Sequence, residues 1–291
     1  MLSLWSGVQP PTLTGAARQA AIDRLARLSQ VINGTPGQRS AGEILLYHAY
    51  QDPVRDCLAR TGLSYPTLPF ADPYAGSKSL PVDGGLWLTP LTPQTLGLAD
   101  PERFALSAAQ QAEQDAISSA YERLDPAARR RYDEAVIACP APHGVGEIHF
   151  PPSWVPLNSA YQEVLTRVAK DWRVRAAGRS YPDCMRADGF PVSTYGELIE
   201  LIGARIGPAS LPGYGGVGGP AWSAVVEQER AAARADARCR RTAYEVALAV
   251  VAPELVRFER RYANGLARVA GEWAAMVDRA RAYPEGRCCL R

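Results

Sequence analysis

The chain carries one cysteine pattern twice, and this repeat limits its fold more than any other feature. The first copy is Asp56-Cys57-Leu58-Ala59-Arg60-Thr61-Gly62; the second is Asp183-Cys184-Met185-Arg186-Ala187-Asp188-Gly189. In both, glycine follows cysteine by five positions. Each copy follows a helical stretch, and each is succeeded at long range by a helix bearing another cysteine: Cys139 in YDEAVIAC and Cys239 in RADARC. The pattern reads as an internal duplication of a cysteine-bearing helical unit. The chain has six cysteines and three histidines, with no CxxC pair and no zinc-finger spacing. Buried thiols and disulfides are both open to such a set. The duplication predicts that each motif cysteine pairs with its own later helix, Cys57 with Cys139 and Cys184 with Cys239. Cys288 and Cys289, in the tail RCCLR, are left to crosslink to another chain or to fray.

Apolar periodicity between these cysteines is helical. Helices are expected over 16–32, from a Ser40–Glu43 capping box toward Cys57, over 107–124, and from an Asp125-Pro126 start to Cys139. Further helices are expected from an Asn158 cap to 177, from a Thr194–Glu197 box to 206, and over 221–282. The last stretch would be a rod of about 90 Å if straight. A globule of this length is only about 50 Å across, so a break is expected near Pro253, where the apolar stripe changes register. Residues 61–104, 140–157 and 207–220 are rich in proline and glycine and read as irregular. The fold class is all-α, an irregular helical bundle. Its expected organisation is an N-terminal helix and arm (1–40), a first helical half (41–157) and a second helical half (158–291).

Composition excludes several classes. The chain is 47% hydrophobic, enough for a sizeable core and against disorder throughout. Net charge is +2 with no like-charge block, so no nucleic-acid or membrane surface is marked. Arg129, Arg130 and Arg131, and likewise Arg238, Arg240 and Arg241, carry acidic neighbours and read as solvated helix faces. Lys78 and Lys170 are the only lysines, which with abundant alanine suggests a high-GC bacterial genome. No apolar run reaches the roughly 18 residues of a membrane span. The N-terminus is not a signal peptide as written. The chain is therefore expected to be cytoplasmic if complete, and secreted or on the cell surface if a signal peptide has been removed.

The segments DCLARTGLSYP (56–66), LDPAARRRYDEAVIAC (124–139), DCMRADGF (183–190) and ERAAARADARCR (229–240) together resemble a group of uncharacterised actinobacterial exported proteins and lipoproteins. The group's pattern is a cysteine-methionine helix ending in glycine and an aromatic, then an alanine-rich helix with Asp-Ala-x-Cys. The resemblance covers roughly residues 41–280. This chain departs from the pattern in lacking the signal sequence and in having Leu58 in place of methionine. The resemblance implies an exported location and a disulfide logic, and it supplies no activity.

Candidate chemistry is sparse. His143, Glu147 and His149 form a loop pattern with the ligand types of an open zinc site, set against solvent-exposed or capping histidines. GYGGVG (213–218) matches GxGxxG by letter, but helical sequence precedes it, so it reads as a flexible loop. In 61–104, Tyr65, Phe70, Tyr74 and Trp87 are too many large apolar groups for a linker. They predict a segment docked on the helical body and lining its main groove. After 221, the stripe Trp222, Val225, Glu229, Ala232, Asp236, Cys239, Ala243, Val246, Val250 places Asp236 on an inward face. A buried carboxylate needs a partner, and Arg186 or backbone N–H groups near it are expected, with Glu229 reaching solvent. The competing readings are a stripe misphased by one residue, leaving both carboxylates solvated, and a catalytic acid. The function expected is that of an extracytoplasmic helical binding or structural protein, recognising a cell-envelope component or a partner protein, with no cofactor and no nucleic acid. The alternative is a metal-dependent hydrolase using His143, Glu147 and His149.

Overall fold

A computed structural model describes residues 12–63, 70–75, 77, 85–99, 108–139, 148–210 and 216–289. Among them helices are the only regular elements: α1 Gly15–Asn33, α2 Pro36–Arg60, α3 Gly85–Leu88, α4 Ala108–Glu122, α5 Pro126–Ala138, α6 Trp154–Lys170, α7 Trp172–Ala177, α8 Tyr181–Ala187, α9 Tyr195–Ser210, α10 Pro220–Cys239, α11 Arg241–Arg261, α12 Ala263–Ala280 and α13 Pro284–Cys289. The protein is all-α. None of the described helices is long and apolar enough to cross a membrane.

Several helix boundaries differ from the expected ones, each for a local reason. The capping box that starts α2 is Thr35 with Gln38, not Ser40 with Glu43. Proline at the first helical position favours the earlier start, and Ser40 lies buried inside the helix. Asn158 lies within α6 and caps nothing; Asp171 caps α7 by accepting the Arg173 N–H at 2.8 Å. Asp125 does cap α5, as expected. The stretch after 220 divides at Arg240 and Tyr262, whereas Pro253 sits inside an unbroken α11. Pro253 is exposed, so water can serve the carbonyl that its missing N–H leaves free.

Two compact units are interleaved along the chain rather than placed in succession. Unit 1 comprises Met1–Ile32, Pro81–Pro101 and Val155–Leu266; unit 2 comprises Asn33–Leu80, Glu102–Trp154 and Ala267–Arg291. The expected organisation is successive, with boundaries at 40 and 157; here residues 1–32 and 81–101 group with 155–266, and 267–291 group with 33–80 and 102–154. The reason is tertiary. In unit 1, α1 is tied to α11 by Arg18–Glu245 and by Arg24 and Arg27 to Glu259.

Each unit holds one copy of the repeated pattern, and both copies end in the same backbone cap. In unit 2 the Leu63 N–H donates to the Leu58 carbonyl at 3.1 Å and the Gly62 N–H to the Ala59 carbonyl at 3.0 Å. In unit 1 the Phe190 N–H donates to Met185 at 2.9 Å and the Gly189 N–H to Arg186 at 3.0 Å. Gly62 (φ 77°) and Gly189 (φ 86°) occupy the left-handed region that this cap requires. Leu58 and Met185 are fully buried, and Leu63 and Phe190 pack in the same cores. The expected disulfides are both formed. Cys57–Cys139 has a Cα separation of 5.7 Å and Cys184–Cys239 one of 5.6 Å, and in each the distal cysteine lies at the C-terminal end of a helix, α5 or α10.

Candidate functional site

Two described pieces of the irregular stretch 61–104, residues 70–75 and 85–99, are bonded to helices. In unit 2, residues 70–75 lie on α2. Ser40 Oγ donates to Asp72 Oδ2 at 2.7 Å, and Arg39 Nη2 donates to the Tyr74 hydroxyl at 2.8 Å. Asp72 Oδ1 also accepts the Tyr74 N–H at 2.9 Å, which closes the turn. Phe70 then meets the Tyr47 ring edge-on at 5.5 Å. The result is a groove of about 330 Å³ lined by Glu43, Leu46, Tyr47, Tyr50, Gln51, Phe70 and Ala71. Tyr50 is an exposed aromatic, at 47%. Gln51 Oε1 is buried and accepts no hydrogen bond from any described residue. Aromatic faces beside the Glu43 carboxylate suit a ligand with a flat apolar face and a hydroxyl or N–H donor.

Behind this groove the side chains of unit 2 form a polar–aromatic layer. The His149 Nε2 atom lies 3.0 Å from Glu43 Oε1, and its ring stacks on Phe150, which stacks on Trp154. Arg39 lies over the Phe150 ring, 4.2 Å from its centroid. His48 stacks on Tyr283 at 3.8 Å, with Asp52 3.3 Å from Nδ1 and Glu285 3.0 Å from Nε2, which joins α2 to α13. Of the loop pattern expected for a metal, His149 is thus engaged by Glu43 and Phe150. His143 and Glu147 lie outside the described residues, as does Tyr65.

In unit 1 the second described piece of the stretch, residues 85–99, is clamped by the face of α10 that was expected to be buried. Asp236 is buried at 2% exposure, but its partner is not Arg186. Arg186 is exposed and pairs with Asp183 at 2.8 Å, three residues back on its own helix. Asp236 is instead held by Arg240, one turn on, whose Nε and Nη2 both donate to the carboxylate, the shortest at 2.6 Å. The Tyr181 hydroxyl adds a bond of 3.0 Å. Burial, and then the Asp236 charge, push the Tyr181 hydroxyl well above its ordinary pKa. Arg240, expected on a solvated face, is 1% exposed and lies over the Tyr195 ring. Its Nη1 donates to the Thr89 carbonyl at 2.5 Å. Glu229 does not reach solvent: it is 2% exposed, and it accepts the Leu98 N–H at 2.7 Å and the Thr95 hydroxyl at 3.1 Å. The six-membered ring of Trp87 packs against Gly178 and meets Tyr181 edge-on at 5.9 Å. The two inward carboxylates therefore anchor a loop, one directly and one through Arg240, and every bond they make is structural.

The groove-lining set was only partly legible in the sequence. Phe70 is among the aromatics that the sequence marks, whereas nothing in the sequence marks Glu43, Tyr47, Tyr50 and Gln51 as groove residues. The spacing of those four places them on one face of α2, but helical spacing alone does not say that a loop will form the opposite wall. The Asp236–Arg240 pair had a readable signal in its four-residue spacing. The chain matches no protein-family model, no curated protein and no solved structure.

Proposed function

We propose that this is an extracytoplasmic helical binding protein, and that the groove between α2 and residues 70–75 receives its ligand, a component of the cell envelope or a partner protein. The observation that carries the reading is the groove itself: Tyr47, Tyr50 and Phe70 beside the polar side chains of Glu43 and Gln51. These groups recognise; none is arranged as a nucleophile beside a base. The extracytoplasmic setting is supported by a disulfide in each unit, a form of crosslink that persists in oxidising compartments.

Cosedimentation of the purified, oxidised protein with isolated envelope material tests the proposal. Tyr50 is exposed and Phe70 half-buried, so Tyr50→Ala and Phe70→Ala should retain the fold while weakening binding about tenfold or more, as expected of aromatic anchors. Equal retention of wild type and both variants would reject the groove. Retention of none of them would reject an envelope ligand.

A further inference from the structure

We propose that a second groove, lying in unit 1 against α6 and the C-terminal end of α11, binds a phosphate group carried by a small soluble ligand or a lipid headgroup. The cavity, of about 590 Å³, is lined by Arg167 from α6 and by Arg257, Arg260 and Arg261 from α11, with Glu163 and Glu254 as its only carboxylates. Four guanidinium groups against two carboxylates leave the lining at +2. The whole chain of 291 residues is also only +2, so this one hollow carries a surplus equal to the net charge of the entire protein.

The carboxylates nearby do not neutralise the surplus. Glu254 takes Arg257 and lies 4.0 Å from Arg167. Glu259, in the same turn of α11, is occupied by Arg24 and Arg27 of α1. Among the described residues Arg260 makes no ion pair or hydrogen bond, and Arg261 makes only the contact with the Tyr262 ring, 5.4 Å from its centroid. An adjoining hollow shares Glu163 and Arg167 and adds the hydroxyls of Ser159 and Thr166, which can donate to a ligand's remaining oxygens. α12 begins directly after Tyr262 and brings no acidic residue in its first turn to the groove's edge. Forked guanidinium donors with neighbouring hydroxyls are the donor set that matches a tetrahedral oxyanion. The same arginines also complement the C-terminal end of α11, a role that needs charge but no ligand.

The test is isothermal titration of the full chain with inorganic phosphate and with glycerol phosphate, and cosedimentation with vesicles of phosphatidylglycerol or of phosphatidylcholine alone. Wild type should bind saturably at one site. The Arg260→Gln/Arg261→Gln double variant, folded by circular dichroism, should bind about tenfold more weakly or worse, the loss expected of a charge-assisted contact. Arg230→Gln, an exposed arginine on α10 paired with Glu227, should bind as wild type. Binding to the soluble phosphates identifies a free ligand, and binding confined to phosphatidylglycerol vesicles identifies a headgroup; both support the site. No saturable binding to any probe overturns it. So does wild-type affinity in the double variant, or a DNA duplex bound more tightly than every phosphate probe, which would mark a general polyanion surface.

Discussion

Replacing Asp236 by alanine is the sharpest test of how unit 1 is held together. In the wild type the Arg240 guanidinium, at 1% exposure, gives three hydrogen bonds to Asp236 and one to the Thr89 carbonyl. The substitution removes the one carboxylate that Arg240 bonds among the described residues and leaves the cation buried with one carbonyl and the face of Tyr195. It also strips the Tyr181 hydroxyl of its acceptor. Breaking a buried pair in this way costs about 3–5 kcal/mol, because the remaining charge is neither hydrated nor compensated. With a urea slope of about 3 kcal/mol/M, the unfolding midpoint should fall by roughly 1–1.7 M. The double variant Asp236→Ala/Arg240→Met removes both charges and should recover most of the loss, ending within about 2 kcal/mol of wild type. Urea titrations followed by circular dichroism and by tryptophan fluorescence measure both. A stability for Asp236→Ala within about 0.5 kcal/mol of wild type, at unchanged slope, would refute the buried pair. A double variant no more stable than the single one would refute the uncompensated charge as the cause.

Three further outcomes are expected. Gly178→Ala would place a Cβ 2.6 Å from the Trp87 ring; forcing that ring aside should cost about 1–3 kcal/mol and change the fluorescence of the native state, and an unchanged spectrum and midpoint would show that the ring does not lie there. Arg27, with Arg24, holds the Glu259 carboxyl below its ordinary value of 4.5. The unfolded chain therefore takes up the proton first as pH falls, so this stabilisation is complete above that value and is lost as pH drops through the lower folded-state value. Glu259→Gln should accordingly flatten the acid limb of the stability profile while leaving the protein less stable at neutral pH, and an unaltered acid limb would count against the linkage. Replacing Cys184 and Cys239 together by alanine opens a separation of 55 residues and should cost about 4 kcal/mol on the chain-entropy relation; non-reducing peptide mapping that joins Cys57 to Cys184 would overturn the pairing altogether.

Covalent and local features were legible in the sequence because they depend on neighbours along the chain. The Asp-Cys repeat carried the pairing, since a duplicated unit can close on itself without help from its copy. The glycine five positions after each cysteine marked the helix ends, since a left-handed residue there is a local need. The α10 stripe was phased correctly, which is why Asp236 and Glu229 fall on the buried face. What that face meets was not legible. Arg240 looked like one of several arginines on a wet surface, and only the approach of residues 85–99 and Tyr195 encloses it. Glu229 has no sequence signal for its partners, because the Leu98 N–H lies 131 positions away. The interleaving of the two units has the same origin, since the chain's return to an earlier unit is chosen by long-range burial. The groove on α2 exists only because Asp72 brings residues 70–75 back to Ser40. Helix period, caps and cysteine spacing follow from the chain's own neighbours, whereas partners, burial and concavity belong to surfaces that exist only once distant segments have met.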